Sequence, residues 1–201
     1  MCVAMNVVLP FYINEGDPPA KREILRAALK LFSEQGLAAT SIRDIADESG
    51  YTNPALYRHF DSKEELAQHL FDVCHRRVWG RLNAAVVSAK SFDEKLEGYV
   101  GRWLELVDEH PDVVAFLSDS ARVLWPRASP TVKRQTVIGL ARSLALAAPK
   151  RSGSTMNPDV AAASLQGTLA ELARMLQVGV VDGPAIRWKG NVVALIRKLF
   201  A

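Results

Sequence analysis

The sequence predicts an all-α protein, and three observations carry that expectation. Apolar residues recur at three- and four-residue spacing along most of its 201 residues, the period of a helix with one buried face. No stretch alternates for long with period two, and the turn chemistry of hairpins is missing. Pro111, Pro126, Pro149, Pro158 and Pro184 stand at or near the ends of the periodic stretches, where a missing N–H is tolerated. An apolar fraction of 49% is ample for a packed core, and 23% charged residues suit a solvated surface.

The first helix is expected over residues 18–35. Ile24, Ala28, Leu31 and Phe32 mark its buried face, Asp17 stands at its start, and Gly36 at its stop. Residues 40–60, TSIRDIADESGYTNPALYRHF, then read as two short helices joined by a tight turn. Ile42, Ile45 and Ala46 share one side of the first, and Gly50 supplies the turn, where a positive φ costs little. Asp61-Ser62-Lys63-Glu64-Glu65 opens the next helix, with Ser62 and Glu65 at capping-box spacing. That helix is expected to run to about residue 89. Further helices are expected over residues 92–109, 112–124, 130–148, 157–178 and 184–200. The small and polar residues of 149–157 read as a loop prone to local disorder. Three divisions follow: a tail over 1–17, a helix-turn-helix domain over 18–65, and a C-terminal domain over 66–201.

The 40–60 segment has the pattern of a helix-turn-helix that places its second helix in the major groove of DNA. Thr40 or Ser41 caps its first helix, leaving N–H groups to face a phosphate. Arg43 points outward. Thr52 caps the second helix and Pro54 fits its first turn. Thr52, Asn53, Pro54 and Ala55 then enter the groove. Asn is able to pair with adenine, and Pro and Ala to meet a thymine methyl. Leu56 and Phe60, four apart, face the core, while Tyr57, Arg58 and His59 stay at the rim. Lys63 stands where its charge and a helix start share a phosphate. The formal net charge is only +3, and residues 18–63 carry seven Lys and Arg against six Asp and Glu. A DNA-facing surface must therefore be polarised rather than uniformly basic.

Residues 21–70 closely resemble the DNA-binding domain of the TetR family of transcriptional regulators. The resemblance rests on Ile24, Ala28, Phe32 and Gly36, then Thr40, Ile42, Ile45-Ala46 and Gly50, then Leu56-Tyr57, His59-Phe60, Lys63 and Leu66. It implies a homodimer with an N-terminal DNA-binding domain and a C-terminal ligand-binding and dimerisation domain. It also implies that Tyr57, His59 and Lys63 grip phosphate, while Arg43, Thr52, Asn53 and Pro54 lie nearest the bases. The expected function is a ligand-responsive regulator, most simply a repressor on a palindromic operator, with double-stranded DNA and an unidentified small-molecule effector as partners. Two competing readings are a helical enzyme or carrier with a vestigial helix-turn-helix, and a regulator gated by a protein partner.

The C-terminal part follows the family in helix pattern and order alone. Trp79, Tyr99, Trp103, Phe116, Trp125, Met156 and Met175 are candidates to line an apolar pocket, against the default of ordinary core packing. Leu165, Leu169 and Leu172, with Ile186, Val193 and Ile196, are candidates for a four-helix dimer interface. His69, Cys74 and His75 share no good metal-binding face, and no nucleophile–base pair or phosphate loop argues for catalysis. No cofactor is expected. Cys2 and Cys74 do not form a disulfide framework, and no apolar run is long enough to span a bilayer; a cytoplasmic protein is expected.

Overall fold

The computed structural model describes residues 10–149 and 157–200. Among them every regular element is helical: α1 (Pro19–Gln35), α2 (Ile42–Ser49), α3 (Asn53–Tyr57), α4 (Lys63–Ser88), α5 (Phe92–Glu109), α6 (Pro111–Leu124), α7 (Pro130–Arg134), α8 (Val137–Ala147), α9 (Pro158–Gln177) and α10 (Lys189–Phe200). Single 3₁₀ turns over Trp125–Arg127 and Ala185–Trp188 precede α7 and α10.

α1 buries Ile24, Leu25, Ala28 and Phe32 and packs against α2 and α6. It ends at Gly36, whose φ of 84° is open to glycine at low cost. Gly50, with φ 72° and ψ 17°, stops α2 in the left-handed region and turns the chain into α3. α4 lies along α5, α8 lies along α9, and α10 closes on α5 and α9. One contiguous apolar cluster runs from Ile24 and Leu56 through Leu66 and Leu70 to Leu165 and Ile196. Each buried Leu, Ile or Phe contributes about 1.5–3 kcal/mol of transfer free energy.

Several local expectations are corrected. Asp17 does not cap α1, because Pro18 stands between and offers no side-chain cap. Its buried carboxylate instead accepts from Asn14 N at 2.7 Å and pairs with Lys21 at 2.9 Å. Burial opposes its ionisation, but Lys21 and the Asn14 N–H outweigh burial and hold the carboxyl below its usual range. Ser62 does cap α4, accepting from Glu65 N at 3.1 Å, yet Glu65 reaches back one residue further than the spacing implied, to Asp61 N at 2.6 Å. The helix expected over 130–148 is two helices. The chain leaves helical geometry at Gln135 (φ −103°, ψ 75°), and Thr136 caps α8 by accepting from Gly139 N at 2.8 Å.

Residues 10–17 form an anchored strap, although the sequence treats them as tail. Phe11 and Ile13 are buried. Arg77 of α4 donates to Pro10 O at 2.9 Å and to Ile13 O at 2.5 Å. Phe11 packs on the His110 ring with centroids 4.8 Å apart, and the Arg81 guanidinium lies 5.0 Å from its ring centre. The strap thus ties the entry to α1 onto α4 and the α5–α6 corner. Cys2, the rest of the tail before Pro10, Met156 and most of the 149–157 loop lie outside the described residues.

Candidate nucleic-acid interface and cavity

Two regions combine exposed polar or aromatic groups with a rigid support. The first is the α2–α3 corner. Ile45, Ala46 and Leu56 are buried, so the corner rests on α1 as one unit. Facing away from that support, Thr52, Asn53 and Pro54 are exposed and Tyr57 is 52% exposed. The Thr52 hydroxyl caps nothing, so it is uncommitted. Arg43 is 84% exposed, with Asp47 only at 4.0 Å. Arg58 is exposed, while Ala55 and His59 are half-buried beside it.

Charge pairing polarises this surface, as the sequence requires. Glu48 takes both Arg26 (3.3 Å) and Lys30 (3.1 Å), and Asp17 takes Lys21. Cations of α1 are thereby matched on the flank. Arg43 and Arg58, beside the exposed end of α3, are left to meet an anion.

Three residues expected at DNA are engaged within the chain. Thr40 is 1% exposed, and its hydroxyl donates to Gly36 O at 2.9 Å. That bond ties the side chain to the end of α1. Ser41 is exposed but locked in a capping box: Oγ accepts from Asp44 N at 3.2 Å, and Asp44 accepts from Ser41 N at 2.7 Å. The bond from the Ser41 backbone keeps the Asp44 carboxyl below its usual range. Part of this helix start is therefore spent internally. Lys63 Nζ donates to Leu37 O at 2.9 Å and Thr40 O at 2.7 Å. It clamps the α1–α2 loop onto the start of α4. Tyr51, outside the expected set, stands beside these residues. It is 36% exposed and immediately precedes Thr52, and an aromatic placed in a turn was the available signal.

The second region is a cavity of about 360 Å³ among α4, α5, α6 and α9. Trp103 and Trp125 line it, as expected, together with Phe71, His75, Ser118 and Gln166. Trp79, Tyr99, Phe116 and Met175 do not. Tyr99 is fully buried behind the wall and donates to Gln166 Oε1 at 2.8 Å, while burial pushes its phenol pKa far up. Phe116 stacks on Phe32 with centroids 5.7 Å apart, which places it in the seam between α6 and α1. Trp79 is half-buried elsewhere on α4. Met175 lines a shallower groove between α9 and α10. His75 lies between Phe71 and Trp125, with centroids 5.9 and 5.7 Å away, and burial lowers its pKa. Its Nδ1 has no hydrogen-bond partner among the described residues. Among the described residues no group of three or more His, Cys, Asp or Glu could hold a metal ion. Cys74 is buried and free, with its thiol pKa pushed up by burial.

The dimer candidates are redistributed as well. Leu165, Leu169, Val193 and Ile196 are buried in the chain's own core and are unavailable to a second copy. In sequence they resemble Leu172 and Leu195, which stand on the same two helices but are less buried. Leu172 and Ile186 are half-buried. The face that α9 and α10 leave open holds Thr168, Leu172, Met175, Trp188 and Leu195 around a groove of about 330 Å³. Leu195 is 45% exposed and Val160 56%.

An exposed helix-turn-helix corner, carried on a helical body with a partly open cavity, defines an all-α helix-turn-helix protein. Residues 24–70 match the model of the bacterial regulatory proteins, tetR family. Over those residues the chain is similar to that family. It is 34% identical over 111 residues to the HTH-type transcriptional repressor KstR2 of Rhodococcus jostii, covering 55% of this chain and 54% of that protein. It is 42% identical over 55 residues to the regulator TtgR of Pseudomonas putida, covering 27% and 26%. The chain thus spans about half the length, or less, of the curated relatives it matches. In fold it resembles the ketosteroid transcriptional regulator KstR2 of Mycobacterium tuberculosis, with a TM-score of 0.76 at 23% identity over 94% of this chain and 96% of that one. It also resembles FadR of Bacillus subtilis, solved with stearoyl-CoA, with a TM-score of 0.67 at 14% identity over 87% and 96%. No helix among the described residues is long and apolar enough to cross a membrane.

Proposed function

We propose that this protein is a ligand-responsive transcriptional regulator, a repressor that binds a palindromic operator as a homodimer and leaves it when a small molecule fills the cavity. The observation that carries the reading is the uncommitted end of α3. Thr52, Asn53 and Pro54 stand exposed on a rigidly packed corner, flanked by Arg43, Tyr57 and Arg58. A polar tip on a fixed support suits base reading, and the flanking cations suit phosphate. The relatives named as repressors support the same reading.

In this account the open α9–α10 face pairs with its copy, and the two α3 helices enter major grooves about 34–36 Å apart. Two elements connect cavity and reading head. α4 carries Lys63 at its start and His75 twelve residues on, about 18 Å at the rise of an α-helix. α6 presents Ser118 to the cavity and Phe116 to α1. A ligand that favours one placement of α4 and α6 shifts the spacing of the two α3 helices, by no more than its difference in affinity for the two states. Such a protein works in the cytoplasm, where its DNA is. Selection from random duplexes tests the reading: the enriched sequence should be an inverted repeat, and Asn53→Ala should relax preference at one position of each half-site. Enrichment of no common sequence would sink it.

A further inference from the structure

The walls of the cavity restrict what it accepts. Among the described residues no Lys, Arg, Asp or Glu lines it. A ligand charge placed there would lose its hydration and gain no partner, a large penalty. A smaller neighbouring pocket, about 230 Å³, shares Val114, Ser118 and Ala170 with the cavity and holds Arg174 beside Asp119 and Glu171. That guanidinium is already gripped by Glu171 at 2.9 and 2.5 Å. The pair sits at the surface and leaves other guanidinium N–H groups open, so an anionic headgroup that met it would do so outside the cavity.

The polar groups are few and specific. The Tyr99 hydroxyl occupies Gln166 Oε1, which turns the amide so that its NH₂ is the group left over for a ligand. The covered His75 Nδ1 lacks a partner among the described residues, and burial lowers the pKa of the imidazole. Trp103 and Trp125 add flat apolar walls. At about 360 Å³ the space lies near the lower end of small-molecule sites, which span roughly 300–1,000 Å³.

From this we infer that the effector is a neutral, compact, ring-containing molecule with a carbonyl oxygen: the rings lie against Trp103 and Trp125, and the oxygen accepts from the Gln166 amide. Anionic chains and acyl thioesters of coenzyme A are not its ligands. This inference rests on reading the chain as ligand-responsive and narrows that reading to a chemical class.

Prodan, a neutral naphthyl ketone whose emission moves to the blue in apolar surroundings, is a direct probe for the full chain. It should bind with a Kd of about 10 μM or less and show energy transfer from the tryptophans. Its parent without the ketone should bind about tenfold more weakly, the equivalent of ~1.4 kcal/mol. Gln166→Met should remove that tenfold difference while leaving the parent's binding intact. Should Gln166→Met not fold, His75→Phe offers a second variant that keeps an aromatic wall, and it should retain prodan binding. Tetralone should displace the probe, whereas octanoate and octanoyl-CoA should not at equal concentration. Equal binding of prodan and its parent to wild-type protein would overturn the carbonyl assignment. Displacement by octanoate or octanoyl-CoA as effective as by tetralone would overturn neutrality. Absence of any probe binding, with operator binding intact, would refute the ligand class and leave the DNA-binding reading standing. Tight prodan binding with no effect on the operator complex would do the reverse, keeping the class and refuting the gate.

Discussion

Replacing Lys63 with Met separates two roles that one cation could play. The sequence pattern assigns Lys63 to phosphate, but its ammonium is bonded to Leu37 O at 2.9 Å and Thr40 O at 2.7 Å. Hydrogen bonds to a charged group contribute about 1.5–3 kcal/mol each when buried, and less here, because the lysine is half-buried and the freed carbonyls can recover water. Lys63→Met should therefore cost about 2 kcal/mol, a fall in Tm of roughly 4–8 °C for a chain of this size. A phosphate contact leaves a different mark. Each one contributes about −0.9 to the slope of log K against log salt, so losing one per half-site takes roughly 1.8 from the slope of a dimer. Arg58→Ala should show that change in slope with little change in Tm. Lys63→Met should show the loss of stability, weaker binding to every sequence, and a slope within about 0.5 of wild type. The assays are thermal unfolding and fluorescence anisotropy on one operator duplex across a salt series. An unchanged Tm together with a slope reduced by roughly 1.8 for Lys63→Met would refute the clamp and restore the lysine to the phosphate.

Other consequences are open to measurement. Leu195→Glu places a charge on the open α9–α10 face and should yield a folded monomer by light scattering; an unchanged dimer would move the interface elsewhere. Phe11→Ala removes the anchor of the strap and should cost about 3 kcal/mol, read as a fall in Tm; no effect would mean that the strap is not held in solution. His69, His75 and His110 all have pKa values lowered mainly by burial. A histidine held below its unfolded value of about 6.5 contributes stability above that pH and loses it as pH falls. Stability should therefore decline as pH falls below about 6.5, and His75→Phe should blunt the decline; a flat profile would contradict the burial of these rings.

What was legible in the sequence was what local chemistry decides. Ser41, Ser62 with Glu65, Gly36 and Gly50 each fix a helix end through atoms a few residues apart. The corner around α3 was readable because Leu56 and Phe60 face inward at a spacing of four, which forces Asn53 and Tyr57 outward. Thr40 was misplaced because its burial comes from packing, not from its neighbours in sequence. Lys63 reaches carbonyls 23 and 26 residues away, and no local pattern encodes that. Leu165 and Ile196 differ from Leu195 only in which side of an apolar helix meets the core. The strap was missed because Phe11 and Ile13 are held by Arg77 and His110, some 65 to 100 residues away in the chain. Within the cavity, Trp103 and Trp125 were visible as large apolar side chains. Gln166 was not, because its role depends on Tyr99 turning its amide.

The central claim is that α3 and its copy read an inverted repeat. The most direct measurement is anisotropy at about 0.15 M salt, comparing the palindrome enriched from random DNA with a scrambled duplex of the same length and composition. The account predicts one dimer per duplex and a preference of at least ~10³ for the palindrome, largely lost in Asn53→Ala. Equal affinity for the two duplexes, or a preference untouched by Asn53→Ala, would contradict it.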